Sequence, residues 1–184
     1  MRILAISGSL RRDSWNTTLL RAAADTMPPD SELVLHEGLK AIPAFDEDYE
    51  HDPHGAVHVL REAFRAADAL LVATPEYNHS MPGQLKNALD WLSRPLSTSP
   101  LRGKPAAVVG ASTGLFGAVW AQAETRKVLT AAGALPLDRE LPVGQAAGAF
   151  DLDGRLVDPD LTAELVNILA ELMAAAGERE LAGV

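Results

Sequence analysis

Three short apolar runs, residues 2–6, 69–74 and 105–111, each end at Gly, Ser or Pro and open into a polar loop. Runs this continuous in Val, Ile, Leu and Ala leave no polar face, as a parallel strand covered on both sides requires. Parallel strands need crossovers, and helical spacing of apolar residues lies between the runs. Residues 16–27 place Leu19, Leu20, Ala23 and Met27 together, and residues 54–67 repeat Val57, Leu60 and Phe64. Residues 82–92 align Leu85, Leu89 and Leu92, with Pro82 suited to the first helical position. Residues 119–132 and 160–175 complete five helices. Residues 32–36 give a more polar strand nearer an edge, and residues 134–137 a fifth strand weakened by Pro136. The alternation predicts an α/β fold with helices on both faces of a mostly parallel sheet.

At 184 residues the chain reads as one domain, residues 1–184, with no internal repeat or linker. Residues 38–53 are irregular and acidic, and are read as a functional rim. Sixteen Lys and Arg against 25 Asp and Glu give a net charge of −9, which argues against nucleic acid or an anionic membrane as a partner. There is no cysteine, so disulfides and thiol redox chemistry are excluded and a redox role needs a bound cofactor. The apolar start at Met1 is too short for a signal-peptide core, and no run approaches the ~20 apolar residues of a membrane span. The expected location is the cytoplasm.

Ligands of open α/β sheets bind outside the carboxyl ends of the strands. The first such loop, Gly8-Ser9-Leu10-Arg11-Arg12-Asp13-Ser14-Trp15-Asn16, matches neither G-x-G-x-x-G nor a P-loop. It offers hydroxyls, a carboxamide and two guanidiniums at a helix N-terminus, a setting that favours a monophosphate. The alternative is that Ser14 or Asn16 only caps the helix. The second loop, Pro75-Glu76-Tyr77-Asn78-His79, brings backbone amides, a carboxamide and an aromatic face, which suits a flat heterocycle. The third, Gly110-Ala111-Ser112-Thr113-Gly114, permits close backbone approach, and Ser112 can donate to a carbonyl.

These three loops, with the long Pro75-Glu-Tyr-Asn…Pro82-Gly-x-Leu-Lys-Asn-Ala-x-Asp-Trp91 stretch, resemble the NADPH-dependent FMN reductase family, which includes flavodoxin-like quinone, azo-dye and chromate reductases. The resemblance implies a flavodoxin-like, doubly wound fold with a five-stranded parallel sheet of order 2-1-3-4-5. It also implies FMN as cofactor. By motif position Ser9, Arg11, Ser14 and Asn16 would hold its phosphate, with Leu10 and Trp15 of the same loop counted to the cofactor site. Glu76, Tyr77, Asn78 and His79 would line the isoalloxazine, Pro75 would shape the loop beneath it, and Ser112 would approach its polar edge. Gly117-Ala118 stands where many relatives carry Gly-Gly, and Trp120 and Ala123 replace the Arg and Tyr of some tetrameric relatives. A homodimer on Trp91, Trp120 and neighbouring apolar residues is expected, with a tetramer as the alternative.

The activity so implied is NAD(P)H oxidation by ping-pong hydride transfer, from nicotinamide to flavin N5 and on to quinones or similar small electron acceptors. The resemblance leaves room for azo compounds, chromate and free flavin as further acceptors. The flavin carries the chemistry, so no catalytic side chain is nominated. The donor, NADPH or NADH, is left open because no basic residue is assigned to a ribose 2′-phosphate. The alternative function is a flavodoxin-like electron carrier with bound FMN and no direct NAD(P)H oxidation. A third is an enzyme that releases reduced FMN to a monooxygenase. No metal site is expected: His51, His54 and His58 with Asp46, Asp48 and Asp52 read as solvated residues, and Asp151-Leu152-Asp153-Gly154 as a turn.

Overall fold

The computed structural model describes residues 1–181. β1 (Arg2–Ser7), β3 (Ala69–Ala73) and β4 (Pro105–Ala111) are the three apolar runs, and they form the middle of the sheet. β2 (Glu32–His36) pairs with β1 at one edge, half-buried as its composition suggested. β5 (Leu135–Pro136) pairs with β4 at the other, so the order is β2-β1-β3-β4-β5 with every pairing parallel. That is the flavodoxin-like order.

Period-two geometry explains why the central strands carry no polar alternation. Leu4, Ile6, Leu70, Val72 and Val108 face one hydrophobic layer, while Ile3, Ala5, Leu71, Ala107 and Val109 face the other. The first layer is closed by α2 (Gly55–Arg65), α3 (Gly83–Leu92) and α4 (Val119–Ala131), through Phe64, Leu85, Leu89 and Leu129. The second is closed by α1 (Trp15–Asp25) and α6 (Pro159–Leu181), through Leu19, Leu20, Ile168, Leu169 and Leu172.

Five features depart from the sequence reading. The fifth strand position is shared: β5 pairs with the start of β4, and a two-residue strand, β6 (Pro142–Val143), pairs with its end. Two residues carry too little periodicity to be seen in a sequence. A four-residue helix, α5 (Ala146–Ala149), follows β6, and α6 runs to Leu181 rather than stopping at residue 175. Pro82 is the N-cap of α3, in extended backbone, so the helix opens at Gly83. Finally, Trp91 is 1% exposed, edge-on to Phe45, with its Nε1 donating to the Pro43 carbonyl at 2.9 Å. It is core and cannot rest on a subunit face, which removes it from the expected dimer surface.

The burial of Trp91 belongs to a wider arrangement. On the same helix, Asn87 donates to the Pro43 carbonyl (2.7 Å) and accepts from the Phe45 N–H (2.7 Å), and Gln84 donates to the carbonyls of Leu39 and Ile42 (both 2.8 Å). Arg61 of α2 is 5% exposed and donates to the carbonyls of Glu50, Trp91 and Arg94. The irregular rim, residues 38–53, has few backbone partners of its own, and these side chains satisfy its carbonyls. The long motif between residues 82 and 91 therefore serves largely to hold the rim.

Candidate flavin-nucleotide site

β1, β3 and β4 end together, and the loops that leave them enclose a cleft of about 210 Å³. The β1 loop is drawn over the sheet by the Gly8 N–H, which bonds the Ala73 carbonyl at 2.8 Å. Ser14 caps α1: it is buried, in extended backbone, and its Oγ accepts from the Thr17 N–H. The N–H groups of Trp15 and Asn16, in the first turn of α1, have no acceptor among the described residues. They are the orphan donors that make a helix N-terminus an anion site.

Asn16 plays a different part from the one its polarity suggests. It is 2% exposed, and its carboxamide spans to β4, donating to the Ala111 carbonyl and accepting from the Ala111 N–H, both at 2.9 Å. The side chain is thus spent on joining the first loop to the third, and its backbone N–H is what remains for a ligand. The Arg11 guanidinium donates to the Asp13 carbonyl, which holds it across the loop.

In the second loop, Tyr77 and Ser80 exchange backbone hydrogen bonds of 3.0 and 3.1 Å around Asn78 (φ 54) and His79 (φ 61). Two successive positive φ angles are the type I′ requirement, which explains an Asn here. The Glu76 carboxylate reaches across the cleft mouth and accepts from the Ala121 N–H in the first turn of α4, at 3.2 Å. The N-cap of α4, Ala118, has no capping side chain and sits in left-handed backbone (φ 62), so Glu76 caps that helix from outside. In the third loop, Gly117 (φ 56) lies so close to β6 that a Cβ would fall 2.2 Å from the Pro142 carbonyl carbon. Buried Gln122 seals the same junction, bonding the Gly117 carbonyl (2.9 Å) and the Leu141 N–H (3.0 Å).

Nine of the twelve residues nominated from sequence line this one cleft: Ser9, Arg11, Ser14, Trp15, Asn16, Pro75, Glu76, Tyr77 and Ser112. Leu10 lies on the outer side of the first loop, and Asn78 and His79 stand at the exposed tip of their turn. Ala111 and Thr113 complete the lining and were missed, carrying no signal beyond their place beside Ser112. The fit to an anion is chemical: free helix amides, hydroxyls and a guanidinium meet a single carboxylate, Glu76, which already holds an amide of its own. Elsewhere, the candidate metal residues do not converge: His54 is the N-cap of α2, its Nδ1 accepting from the Ala56 N–H. No helix among the described residues is long and apolar enough to cross a membrane.

A parallel sheet of this order with a phosphate-type cleft at its switch point defines a flavodoxin-like α/β protein. Residues 1–148 match the family model described as NADPH-dependent FMN reductase, and the chain belongs to that family, an oxidoreductase family. It is 46% identical over 168 residues to a Pseudomonas aeruginosa protein named NAD(P)H-dependent FMN reductase, covering 90% of this chain and 89% of that one. It is 37% identical over 161 residues to a 2-hydroxy-1,4-benzoquinone reductase from Burkholderia, covering 87% of each. Among solved structures it resembles FerB, a flavoenzyme NAD(P)H:(acceptor) oxidoreductase from Paracoccus denitrificans, with a TM-score of 0.85 and 32% identity. That match covers 96% of this chain and 97% of that one.

Proposed function

We propose that the protein is an NAD(P)H-dependent FMN reductase that passes electrons to quinones or similar small acceptors, working as one FMN-binding domain. The observation that carries this is the convergence of three strand-end loops on one cleft, with two unpaired helix N–H groups at its floor. When bound, FMN supplies the centre that takes a hydride from the nicotinamide and gives it to the acceptor. The amides of Trp15 and Asn16, the hydroxyls of Ser9 and Ser14 and the Arg11 guanidinium would hold its phosphate. Pro75, Glu76, Tyr77 and Ser112, which line the cleft, would border its ring, with Asn78, His79 and Leu10 contributing from the flanking loops. Glu76 fixes the second loop to α4 and so holds the width of the ring slot.

Exposed Trp120 stands edge-on to His79 of the second loop and to exposed Phe116; with exposed Tyr77 and Leu115 these residues support a homodimer, Trp91 taking no part. A sedimentation result showing only monomer at micromolar concentration contradicts it. Steady-state rates with FMN-loaded protein, varied NADPH and varied benzoquinone test the function. Parallel double-reciprocal lines are expected of the ping-pong cycle. An electron carrier instead needs a separate reductase, so absence of direct NADPH and NADH oxidation would replace this reading by that one.

A further inference from the structure

A second hollow, of about 270 Å³, lies on the other side of the first loop, above the ends of β1 and β2. Arg11, Arg12, Arg21 and Lys40 line it, with Glu37 as its one acidic residue. None of the four cations is in an ion pair with a carboxylate among the described residues. In a chain of net charge −9 that grouping is not what random surface placement delivers, because carboxylates are the commoner neighbours. With Arg11 shared with the flavin phosphate, Arg12, Arg21 and Lys40 remain unneutralised around the concavity; they repel one another, and the field they focus is relieved by an anionic ligand.

The hollow also has neutral donors suited to phosphate oxygens, the hydroxyls of Ser9 and Thr17. Its wall includes His36 at the end of β2, whose Nε2 is buried and has no hydrogen-bond partner among the described residues. Burial lowers the pKa of this imidazole, so it contributes a dipole rather than a fifth charge. Guanidiniums in forked, multivalent contact recognise a dianionic phosphate monoester better than a singly charged carboxylate. The hollow is large enough for a phosphorylated ribose and too small for a whole dinucleotide, and it shares Ser9 and Arg11 with the flavin cleft. A ligand whose far end reaches over the first loop can occupy both.

We propose that this hollow is a second phosphate site, which takes the 2′-phosphate of NADPH and makes the enzyme prefer NADPH over NADH. The proposal rests on the reductase reading above. Arg21 and Lys40 decide it, because they line the hollow alone and are exposed, so their replacement leaves both the fold and the flavin cleft in place.

The test compares wild type with the Arg21→Gln/Lys40→Gln double variant, both FMN-loaded, in kcat/KM for NADPH and for NADH. Loss of two charge-assisted contacts predicts a fall of about 10- to 100-fold with NADPH and less than about twofold with NADH. In parallel, calorimetry follows binding of 2′,5′-ADP, 5′-ADP and inorganic phosphate to the FMN-loaded proteins, a readout independent of turnover. The proposal expects 2′,5′-ADP to bind wild type alone and to outcompete the other two. Equal loss with both nicotinamides, no loss with either, or inorganic phosphate binding as tightly as 2′,5′-ADP would each overturn it. A wild type that oxidises neither nicotinamide removes the reductase reading instead, and 2′,5′-ADP binding then still decides whether the hollow recognises this phosphate.

Discussion

Replacing Asn16 by alanine removes a side chain that joins the first loop to the end of β4. Both groups it satisfies, the N–H and carbonyl of Ala111, belong to a residue that is 2% exposed, and both bonds are 2.9 Å. Leaving a buried polar group unpaired costs roughly 1–3 kcal/mol, so two cost about 2–6 kcal/mol before relaxation. Water entering from the adjoining cleft can serve one of them, which places the expected loss at about 2–4 kcal/mol. For a chain of this length each kcal/mol lowers Tm by about 2–4 °C. Urea unfolding of the FMN-free protein gives the number directly, with FMN kept out because a ligand of the folded state would mask it. Asn16→Asp is the informative companion: one oxygen still accepts from the Ala111 N–H, while the other faces the Ala111 carbonyl and the anion site, so stability and FMN affinity both fall. A loss below about 0.5 kcal/mol for Asn16→Ala would refute the clamp, and with it the idea that this residue sets the geometry of two loops at once.

Further outcomes follow from the same structure. Ser14→Ala removes the cap of α1 and a hydroxyl that lines the cleft, and is expected to cost about 1 kcal/mol in urea and to weaken FMN binding in a fluorescence titration. Arg61→Met strips three rim and helix-end carbonyls of their donor, predicting a loss of about 3 kcal/mol and earlier proteolytic cleavage within residues 38–53. Gly117→Ala combines left-handed backbone with a Cβ pressed into Pro142, and should cost about 3 kcal/mol or more by the same urea assay. Lys104 is buried, its ammonium donating to the Phe64 and Ala67 carbonyls at the end of α2. Burial, helped by the charge of Arg179 and opposed by Asp68, pushes its pKa down to about 8. The unfolded chain keeps that proton to higher pH, so this residue's contribution to stability rises between about pH 8 and 10.5, by at most about 1.4 kcal/mol per unit. Lys104→Met should remove that slope, seen as a smaller gain in urea midpoint from pH 8 to pH 10 than wild type shows.

The position of the cleft was legible in the sequence for a physical reason. A strand buried on both faces must be apolar throughout, so its end is marked where polar residues begin, and three such ends lie side by side in a doubly wound sheet. What was not legible depended on partners distant in the chain. Asn16 and Ala111 are 95 residues apart, and nothing local distinguishes a clamp from a ligand. Trp91 read as an available aromatic because its partners, Phe45 and Pro43, lie in a segment without periodicity. The basic hollow was hidden similarly: Arg11 and Arg12 meet Arg21 one helical stretch later, and Lys40 arrives only when β2 pairs with β1.

If the cleft binds FMN, the bound flavin is reduced directly by a nicotinamide. The visible spectrum of the purified protein with FMN, before and after anaerobic addition of NADPH, tests binding and reduction together. A protein-perturbed flavin spectrum that bleaches promptly with NADPH, and more slowly with NADH, is expected. A flavin that binds but stays oxidised with both donors would contradict direct reduction, and a spectrum identical to free FMN would contradict the site itself.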